Sequence, residues 1–567
     1  MIDKLNLHFV PSTVRQIGQR DMSYPALKDL FVLDQEVFGL QLSLELTEKC
    51  WYTLEQDFSV PWTGLQSLYR IDVQGENLET QIHFEAAVLD DDHLYKNDRI
   101  SAQTAQYLET GTHYLWLDVK ALKPGKQPLT VTVYRRDGYA QEQPIATTTC
   151  MVEVASVKQP QEKTFYLDLW QHLTALARFY QVPLWSAAHF KLIENFLEPL
   201  HAAGQKVCDL VISDYAWAGQ SCYEVSDNPS SLYEYNIIQV TKQAGHLKLD
   251  FSGLDQYIAL CRQYDLLAEI DLFGILGNWS AKDFSNPLVD YQDPIRVRYF
   301  DVDQRQADFI KTRRELKDYL QQVFHHLQAL GVWHRVKVMA DEPNNAETFA
   351  QFQAFIQSCS TQPITFKFAV IHSGFLEAYP GALDSCSMIS SVVCEQLATP
   401  DTRVAQHLNQ MTWYTCCFPK NLNQFVRSPL MESRLVGYLT YAFGLKGFLR
   451  WNYCLWPEDP DRDIRYKTYK WAAGDMFFVY PGKSGRPEYS LRFKQLIYGI
   501  NDFNMLKAFE KQIGRDKLLQ VIQQLTGDVT NIQFNAKRGE ITLNYGDDFN
   551  LISQLKRTCV QLLATKK

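Results

Sequence analysis

Two neighbouring carboxylates, Asp341 and Glu342, are the residues of this 567-residue chain whose types and spacing best suit chemistry. They follow the stretch WHRVKVMA at 333–340, which reads as a short β-strand, and Pro343 stops the strand just after them. A strand that ends in acids between two helices is typical of the active edge of a barrel or a doubly wound enzyme. An acid pair taken at random is more often a solvated turn. The meaning of this pair therefore depends on the elements around it.

The pattern of the chain changes near residue 159. Residues 1–158 hold short alternating strand-like runs separated by turn signals, which predicts an N-terminal β-sandwich. Residues 159–513 alternate between strands and helices and predict a (β/α)8 barrel, and residues 514–567 predict a small C-terminal α+β extension. The predicted fold class is a multidomain α/β protein built around a TIM-like barrel.

Eight strand-like runs support the barrel over an open sheet. They cover 165–170, 206–212, 266–273, 333–340, 364–371, 387–394, 411–417 and 447–455. Helical patterns stand between and after them, at 187–203, 254–264, 308–330, 346–359, 430–443 and 488–513. Eight repeats of strand and helix favour closure of the sheet into a barrel.

Acids and aromatic residues dominate the predicted carboxyl ends of these strands, where a barrel builds its active site. The candidates are Asp214, Tyr215, Trp217, Asp271, Asn278, Trp279, Asp341, Glu342, His372, Glu395, Trp413, Tyr414, Trp451, Asn452 and Trp456. The chain has no glycine-rich phosphate loop and no spacing typical of a zinc site, so we expect neither a cofactor nor a metal ion. Carboxylates for acid and base chemistry beside aromatic faces for sugar rings favour glycoside hydrolysis.

The adjacency of the two acids restricts the mechanism. An acid and a nucleophile on either side of one glycosidic bond stand about 5 Å or more apart on facing walls, which adjacent residues rarely achieve. Either a distant carboxylate is the nucleophile, or a 2-acetamido group of the substrate attacks its own anomeric carbon. In the second route Glu342 protonates the leaving oxygen and Asp341 orients the acetamido nitrogen. The seventh strand carries no acid, which favours the second route and leaves Glu395 as the best alternative nucleophile.

The bulk composition excludes several classes of partner. A net charge of -9 and a pI near 5.8 argue against nucleic acid, and no apolar run is long enough to span a bilayer. The first ten residues lack the apolar core of a signal peptide, and the 12 cysteines are scattered, so we expect a cytoplasmic protein with reduced thiols. The expected partner is a small carbohydrate, and the oligomeric state stays open.

Several ordered motifs resemble glycoside hydrolase family 123, the β-N-acetylgalactosaminidases. They are ADEP at 340–343, WYTCCFPKN at 413–421, the stretch 432–456 and the closing stretch 479–506. The resemblance implies retention of configuration through an oxazoline-like intermediate. By position it implies that Glu342 is the general acid/base, that Asp341 orients the acetamido group and that Tyr414 binds the acetamido carbonyl.

The same resemblance implies roles for further residues. Trp451 and Trp456 would stack on the sugar, whereas Arg434 and Arg492 would form structural ion pairs. Asn452, Trp279 and His372 are further candidate sugar contacts, and Trp413 belongs either to the core or to the pocket. The predicted function is an exo-acting β-N-acetylhexosaminidase that favours GalNAc, with a raised pKa at Glu342. The alternatives are a two-carboxylate retaining glycosidase that uses Glu395 and a carbohydrate-binding barrel without catalysis.

Overall fold

The computed structural model describes residues 5–18, 24–56, 67–138, 140–216, 233–275, 295–343, 345–466 and 471–565. The first part of the chain is all-β. Its strands are β1 (Asn6–Pro11), β2 (Asp29–Asp34), β3 (Val37–Leu46), β4 (Cys50–Thr53), β5 (Ser67–Gly75), β6 (Leu78–Leu89), β7 (Tyr95–Ile100), β8 (Ala105–Leu108), β9 (Gly111–Ala121), β10 (Gly125–Asp137) and β11 (Gln143–Lys158).

These strands form two sheets, in the orders β1-β3-β9-β6-β7 and β2-β11-β10-β5-β4-β8. Alternating apolar positions explain the packing: Leu115, Leu117 and Val119 of β9 are buried in the core, as are Val131 and Val133 of β10. The predicted sheet-rich N-terminal region is confirmed.

The next part of the chain adds strands and helices in alternation. In chain order the strands are β12 (Tyr166–Leu169), β13 (Val207–Val211), β14 (Tyr215–Ala216), β15 (Tyr233–Glu234), β16 (Gln239–Gln243), β17 (His246–Asp250), β18 (Glu269–Phe273), β19 (Arg298–Asp301), β20 (Gln306–Phe309), β21 (Val336–Asp341), β22 (Thr365–Val370), β23 (Cys386–Ile389), β24 (Thr412–Tyr414) and β25 (Gly447–Arg450).

Eight of these strands form one parallel sheet in the order β12-β25-β24-β23-β22-β21-β18-β13. The two edge strands approach each other through a parallel bridge between Leu167 and Gln205, and the amide of Lys206 donates to the carbonyl of Leu167 at 3.1 Å. The sheet is therefore a nearly closed barrel, as predicted. The smaller strands β14 to β17, β19 and β20 belong to excursions from it.

Helices cover the barrel and continue past it. They are α1 (Leu173–Tyr180), α2 (Ala187–Ala203), α3 (Ser252–Gln263), α4 (Arg313–Ala329), α5 (Ala346–Gln357), α6 (Ser373–Ala378), α7 (Ser390–Ala398), α8 (Thr402–His407), α9 (Leu430–Phe443), α10 (Leu491–Ile513), α11 (Arg515–Thr526) and α12 (Asn550–Ala564). Short 3-10 turns lie at Trp333–Arg335, Pro380–Asp384, Leu408–Gln410 and Val529–Asn531. Among the described residues, no helix is long and apolar enough to cross a membrane.

Local capping explains why α2 and α9 begin or end at the predicted residues. The side chain of Ser186 accepts the amide of His189 at the start of α2, and Gly204 ends that helix with a φ of 89°. Gly444 ends α9 in the same left-handed region, with a φ of 77°. Helix ends of this kind can be predicted from a sequence because only glycine adopts the left-handed conformation without strain.

Several boundaries differ from the prediction; the seventh and eighth strands, for example, end at Tyr414 and Arg450 and not at 417 and 455. The run at 387–394 was predicted as a strand, but β23 ends at Ile389 and α7 begins at Ser390. Its β-branched residues and the lack of a glycine or proline conceal the change from strand to helix. The helix predicted from 308 begins only at Arg313, because Thr312 caps it and Gln306–Phe309 pairs with β19.

Two short hairpins and the last helices complete the chain. β26 (Val479–Pro481) pairs with β27 (Pro487–Tyr489), and β28 (Gln533–Asn535) pairs with β29 (Glu540–Thr542). Residues 514–567, predicted as a small α+β extension, contain α11, the second hairpin and α12.

Buried ion pairs fix the closing helix α10 to its surroundings. Arg434 of α9 lies 2.8 Å from Asp502 of α10, and Arg492 of α10 lies 3.0 Å from Asp98 of the sandwich strand β7. All four side chains are almost fully buried, and each carboxylate also pairs with a second cation: Lys556 lies 3.2 Å from Asp502, and Arg15 lies 3.0 Å from Asp98. The predicted structural role of the two arginines is confirmed.

Candidate active site

The acid pair lies at the carboxyl end of β21. Asp341 is the last residue of that strand, and the amide of the next residue, Glu342, still donates to the carbonyl of Ala369 in β22 at 3.0 Å. Glu342 then turns to a φ of 49°, in the left-handed region that side-chain-bearing residues rarely adopt. This turn ends the alternation of side chains along the strand, which removes the requirement that the two carboxyls point to opposite faces.

The hydroxyl of Tyr414 binds the second of these acids. Tyr414 is the buried last residue of β24, and its O–H donates to Oε1 of Glu342 at 2.8 Å. Strands β22 and β23 separate β24 from β21, so this hydrogen bond crosses part of the barrel mouth. Three predicted site residues, Asp341, Glu342 and Tyr414, therefore meet in one place.

The surroundings shift the acidity of both partners. Burial raises the pKa of Glu342 above its ordinary value, and the Tyr414 hydrogen bond and the nearby His372 oppose that rise. Burial and the nearby carboxyls of Glu342 and Asp341 raise the pKa of the Tyr414 phenol well above its usual range. The direction at Glu342 is the one expected of a general acid, and its leading cause is burial.

Trp451 and Asn452 follow the end of β25 directly. The half-buried Trp451 donates its indole N–H to Oδ1 of Asp475 at 3.3 Å, and the same oxygen accepts Nη2 of Arg450 at 2.9 Å. Asn452 is fully buried, and neither of its amide atoms has a hydrogen-bond partner among the residues that the structure describes. The anchor Asp475 was missed because it lies 24 residues after Trp451, in a stretch without periodic pattern.

Burial raises the pKa of Asp475 to about 6, although the Arg450 guanidinium opposes the rise. Both residues of this ion pair are completely buried. The charge-assisted contact between Arg450 and Asp475 thus fixes the carboxylate that binds the Trp451 indole N–H.

Two other candidate indoles lie in the core: Trp456, predicted to stack on the sugar, and Trp413, predicted to belong either to the core or to the pocket. Trp456 is 1% exposed, with its ring 5.7 Å from both Phe179 and Phe196, and its N–H donates to the carbonyl of Val479. Trp413 points away from the barrel interior, where its N–H donates to Thr440 of α9. Successive side chains of a strand point to opposite faces, so Trp413 faces outward because its neighbour Tyr414 on β24 faces inward. Trp413 is 2% exposed, and Trp456 lines a separate cavity of about 360 Å³ that does not include Glu342 among its described lining residues.

Five of the remaining candidates separate into three groups. Trp279, with Trp217 and Asn278, lies outside the described residues. Asp214 is buried in an ion pair with Arg298 at 2.5 Å. Asp271, expected at the mouth, instead lies inside the barrel.

The barrel interior holds a buried charge cluster. Carboxylate oxygens of Asp168, Asp209 and Asp271 lie within 4.8 Å of one another, a grouping that also suits a metal ion. The ammonium of Lys367 already lies 2.5 Å from Asp168 and 2.6 Å from Asp271. Burial raises the pKa of Asp209 well above its usual range. The lysine thus supplies the positive charge of this cluster, which we treat as structural.

A cleft of about 930 Å³ opens beside Glu342. It is lined by Glu342, Ile371, His372, Ser373, Gly374, Ile389, Ser391, Val392, Cys394, Glu395, Ala398, Thr399, Cys416, Phe418, Ile532, Gln533, Phe534 and Ala536. The exposed His372 precedes α6, and the exposed Glu395 lies on α7, where it accepts a hydrogen bond from Ser373 at 2.6 Å. Glu395 therefore belongs to a helix at the rim and not to a strand end.

Comparison with known proteins gives a matching family and a solved structure of similar fold. The glycoside hydrolase 123 catalytic domain matches residues 170–509. The structure of a family 123 glycoside hydrolase from Clostridium perfringens, described in a study of glycolipid glycan hydrolysis, is similar with a TM-score of 0.72. It is 18% identical, and the alignment covers 99% of this chain and 98% of that chain.

A second solved structure shows only weak similarity to this chain. A GH5 xyloglucanase from Bacteroides ovatus is 10% identical over 86% of this chain and 100% of that chain, with a TM-score of 0.23. No curated protein matches the chain.

Proposed function

The chain belongs to the glycoside hydrolase 123 family, and we propose that it is an exo-acting, retaining β-N-acetylhexosaminidase that favours N-acetylgalactosamine. The observation that carries this proposal is the geometry of the acid pair. Asp341 ends β21, Glu342 turns to a φ of 49°, and Tyr414 binds the Glu342 carboxyl from β24. Side-by-side carboxyls suit a substrate that supplies its own nucleophile.

The proposed reaction has two steps. In the first, Glu342 donates its proton to the glycosidic oxygen while the acetamido oxygen attacks the anomeric carbon and the bond to the leaving group breaks. In the second, the Glu342 carboxylate takes a proton from water, and the water oxygen adds to the anomeric carbon and reopens the oxazoline-like ring. Two inversions at one carbon retain its configuration. The raised pKa of Glu342 supports the first step because it keeps the acid protonated to higher pH.

Asp341 and Tyr414 have complementary roles at the acetamido group. The Asp341 carboxylate accepts the acetamido N–H and stabilises the positive charge that develops on the new ring. The Tyr414 hydroxyl, which donates to Glu342 in the structure, turns to the acetamido oxygen when the sugar enters. The influence of both carboxyls on the pKa of Tyr414 supports this arrangement, because it requires all three groups to lie close together.

Trp451 is the proposed stacking surface for the sugar ring. Its indole is half-buried and fixed by Asp475, so that little side-chain freedom is lost when a ligand binds. The neighbouring Asn452 carries a buried amide without partners among the described residues, a costly arrangement that supports a polar role at this site.

Two alternatives have distinct signatures. Glu395 lines the same cleft as Glu342, which keeps it in consideration as the nucleophile of a two-carboxylate mechanism. Azide would then rescue Glu395→Ala and yield a glycosyl azide. A barrel that binds carbohydrate without catalysis would bind aryl hexosaminides and hydrolyse none of them.

A panel of aryl glycosides tests the proposed function. We expect hydrolysis of β-N-acetylgalactosaminides, slower hydrolysis of β-N-acetylglucosaminides and no hydrolysis of β-galactosides, because the last lack the acetamido nucleophile. A thiazoline analogue of the sugar should inhibit competitively. Turnover of the β-galactoside at a comparable rate would contradict the acetamido mechanism.

Tyr414→Phe tests the coupling between the hydroxyl and the general acid. The hydroxyl stabilises the ionised carboxylate and so lowers the pKa of Glu342; its removal raises that pKa. In the pH profile of kcat/KM, the alkaline limb reports loss of the proton from Glu342. In Tyr414→Phe this limb should therefore move to higher pH, while the maximum rate falls. The control is Tyr379→Phe, which removes a hydroxyl bonded to Gln353. An alkaline limb that stays in place or moves to lower pH would refute the coupling.

A further inference from the structure

The C-terminal hairpin β28–β29 forms part of the cleft that contains Glu342. Ile532, Gln533, Phe534 and Ala536 line this cleft together with residues that follow barrel strands. The hairpin lies beyond residue 509, where the match to the family catalytic domain ends. A segment outside that domain thus builds one wall of the proposed active site.

Paired hydrogen bonds hold the hairpin on the segment that follows Tyr414. Nδ2 of Asn421 donates to the carbonyl of Ile541 at 2.7 Å, and the Ile541 amide donates back to Oδ1 of Asn421 at 2.8 Å. The amide of Lys420 also donates to the carbonyl of Gly539 at 2.8 Å. The Asn421 side chain thus pairs with the backbone of Ile541, and Lys420 pairs with Gly539 backbone to backbone, so the hairpin is a positioned wall and not a loose tail.

Two half-buried aromatic rings stand where the hairpin meets the barrel. Phe534 of β28 packs against Phe418, with ring centroids 4.9 Å apart and planes at 79°. Both rings line the cleft. An aromatic pair with polar Gln533 and Ser373 nearby has the mixed character of a surface that binds a sugar, whose ring has apolar C–H faces and polar edges.

The position of the general acid indicates which part of the substrate enters this cleft. Glu342 lines it, but Asp341, Tyr414 and Trp451, to which we assign the first sugar, are not among its described lining residues. A general acid must face the leaving oxygen. The cleft therefore lies on the leaving-group side of Glu342, and a volume of about 930 Å³ accommodates more than a single small group.

We propose that Phe534 and Phe418 form the subsite for the sugar unit that leaves, so that the C-terminal hairpin determines which glycosides are cleaved efficiently. This inference rests on the proposed function, because it takes Glu342 as the acid. The ligand is a pyranose ring attached through the scissile oxygen, bound by its C–H face against the aromatic pair.

The test compares Phe534→Ala and Phe534→Leu with the wild type on glycosides that differ only in the leaving group. The substrates are methyl β-N-acetylgalactosaminide, the octyl glycoside and the disaccharide with galactose as leaving sugar. We expect kcat/KM for the disaccharide to fall about tenfold, as loss of one aromatic contact implies, whereas the methyl glycoside changes less than about twofold. Tyr95→Ala, an exposed aromatic residue of the sandwich, is the matched control.

Three outcomes overturn the inference. Equal losses on all three substrates would mean that the hairpin acts only by supporting the Tyr414 segment. A loss confined to the octyl glycoside would assign the cleft to an alkyl chain, and no loss on any substrate would remove the hairpin from binding. The thiazoline inhibitor occupies only the first-sugar site, so its Ki should not change in either variant. Failure of the thiazoline to inhibit the wild type would instead refute the proposed function.

Discussion

Glu342→Gln is expected to lower kcat for an unactivated β-N-acetylgalactosaminide by about 1,000-fold, in the range that a positioned general acid contributes. The amide keeps the shape of the side chain and can still accept the Tyr414 hydroxyl, but it has no proton to transfer. The loss should depend on the leaving group. Leaving groups of low pKa depart without full protonation, so a dinitrophenyl glycoside should lose much less than a methyl glycoside. Plots of log kcat against leaving-group pKa for both enzymes measure this difference as a change of slope.

The matched control is Glu395→Gln, which alters the other glutamate of the same cleft. Under the substrate-assisted mechanism it should keep its rate within about tenfold of the wild type. If Glu395→Gln lost as much as Glu342→Gln and azide restored the rate of Glu395→Ala, the two-carboxylate alternative would hold. If Glu342→Gln stayed near the wild-type rate, the assignment of the acid would be wrong. Melting curves of both variants separate these effects from loss of folding.

The barrel could be predicted from the sequence because its signals are local. The periodic strands, the Ser186 cap and the Gly204 and Gly444 stops are set by residues close to one another in the chain. The place of Asp341 at the end of a strand follows from the same kind of signal, since Pro343 ends the ladder. Even so, the sixth strand was predicted too long, because a buried helix and a buried strand present the same apolar run.

The details of the site depend on contacts between residues far apart in the chain. The Tyr414–Glu342 hydrogen bond joins residues 72 positions apart, and no periodic pattern signals it. The same holds for Asp475, which supports Trp451 from a loop, and for Phe534, which reaches the cleft from the C-terminal extension. Trp456 illustrates the opposite error: an aromatic residue just after a strand suggested a sugar contact, whereas its neighbours Phe179 and Phe196 enclose it.

The left-handed conformation of Glu342 depends both on local sequence signals and on contacts with residues far away in the chain. A non-glycine residue at a φ of 49° is strained, and such strain persists only where surrounding contacts hold it. Here the amide of Glu342 is fixed by Ala369 and its carboxyl by Tyr414. The sequence indicated that Pro343 stops the strand just after the acid pair, but the particular turn at Glu342 depends on contacts with β22 and β24.

Asp341→Asn is expected to lower kcat/KM for aryl β-N-acetylgalactosaminides by about 100-fold. That is the order expected when an electrostatic contact made in the transition state is lost. The carboxylate both orients the acetamido N–H and opposes the positive charge that forms as the ring closes. Asparagine matches its size and its amide oxygen can still accept the acetamido N–H, but it carries no charge to oppose the positive charge of the ring. Steady-state kinetics and the Ki of the thiazoline should change together, because the inhibitor resembles the charged intermediate.

This joint change distinguishes a role at the acetamido group from general damage to the barrel mouth. Galactose lacks the acetamido group, so weak product-like inhibition by galactose should be the same in Asp341→Asn and in the wild type. A variant that weakened both inhibitors equally, or that lost rate while the thiazoline still bound as tightly, would place Asp341 outside the acetamido contact. The adjacent acids would then need another explanation, because two neighbouring carboxyls suit this chemistry only if one of them serves the nucleophile that the substrate provides.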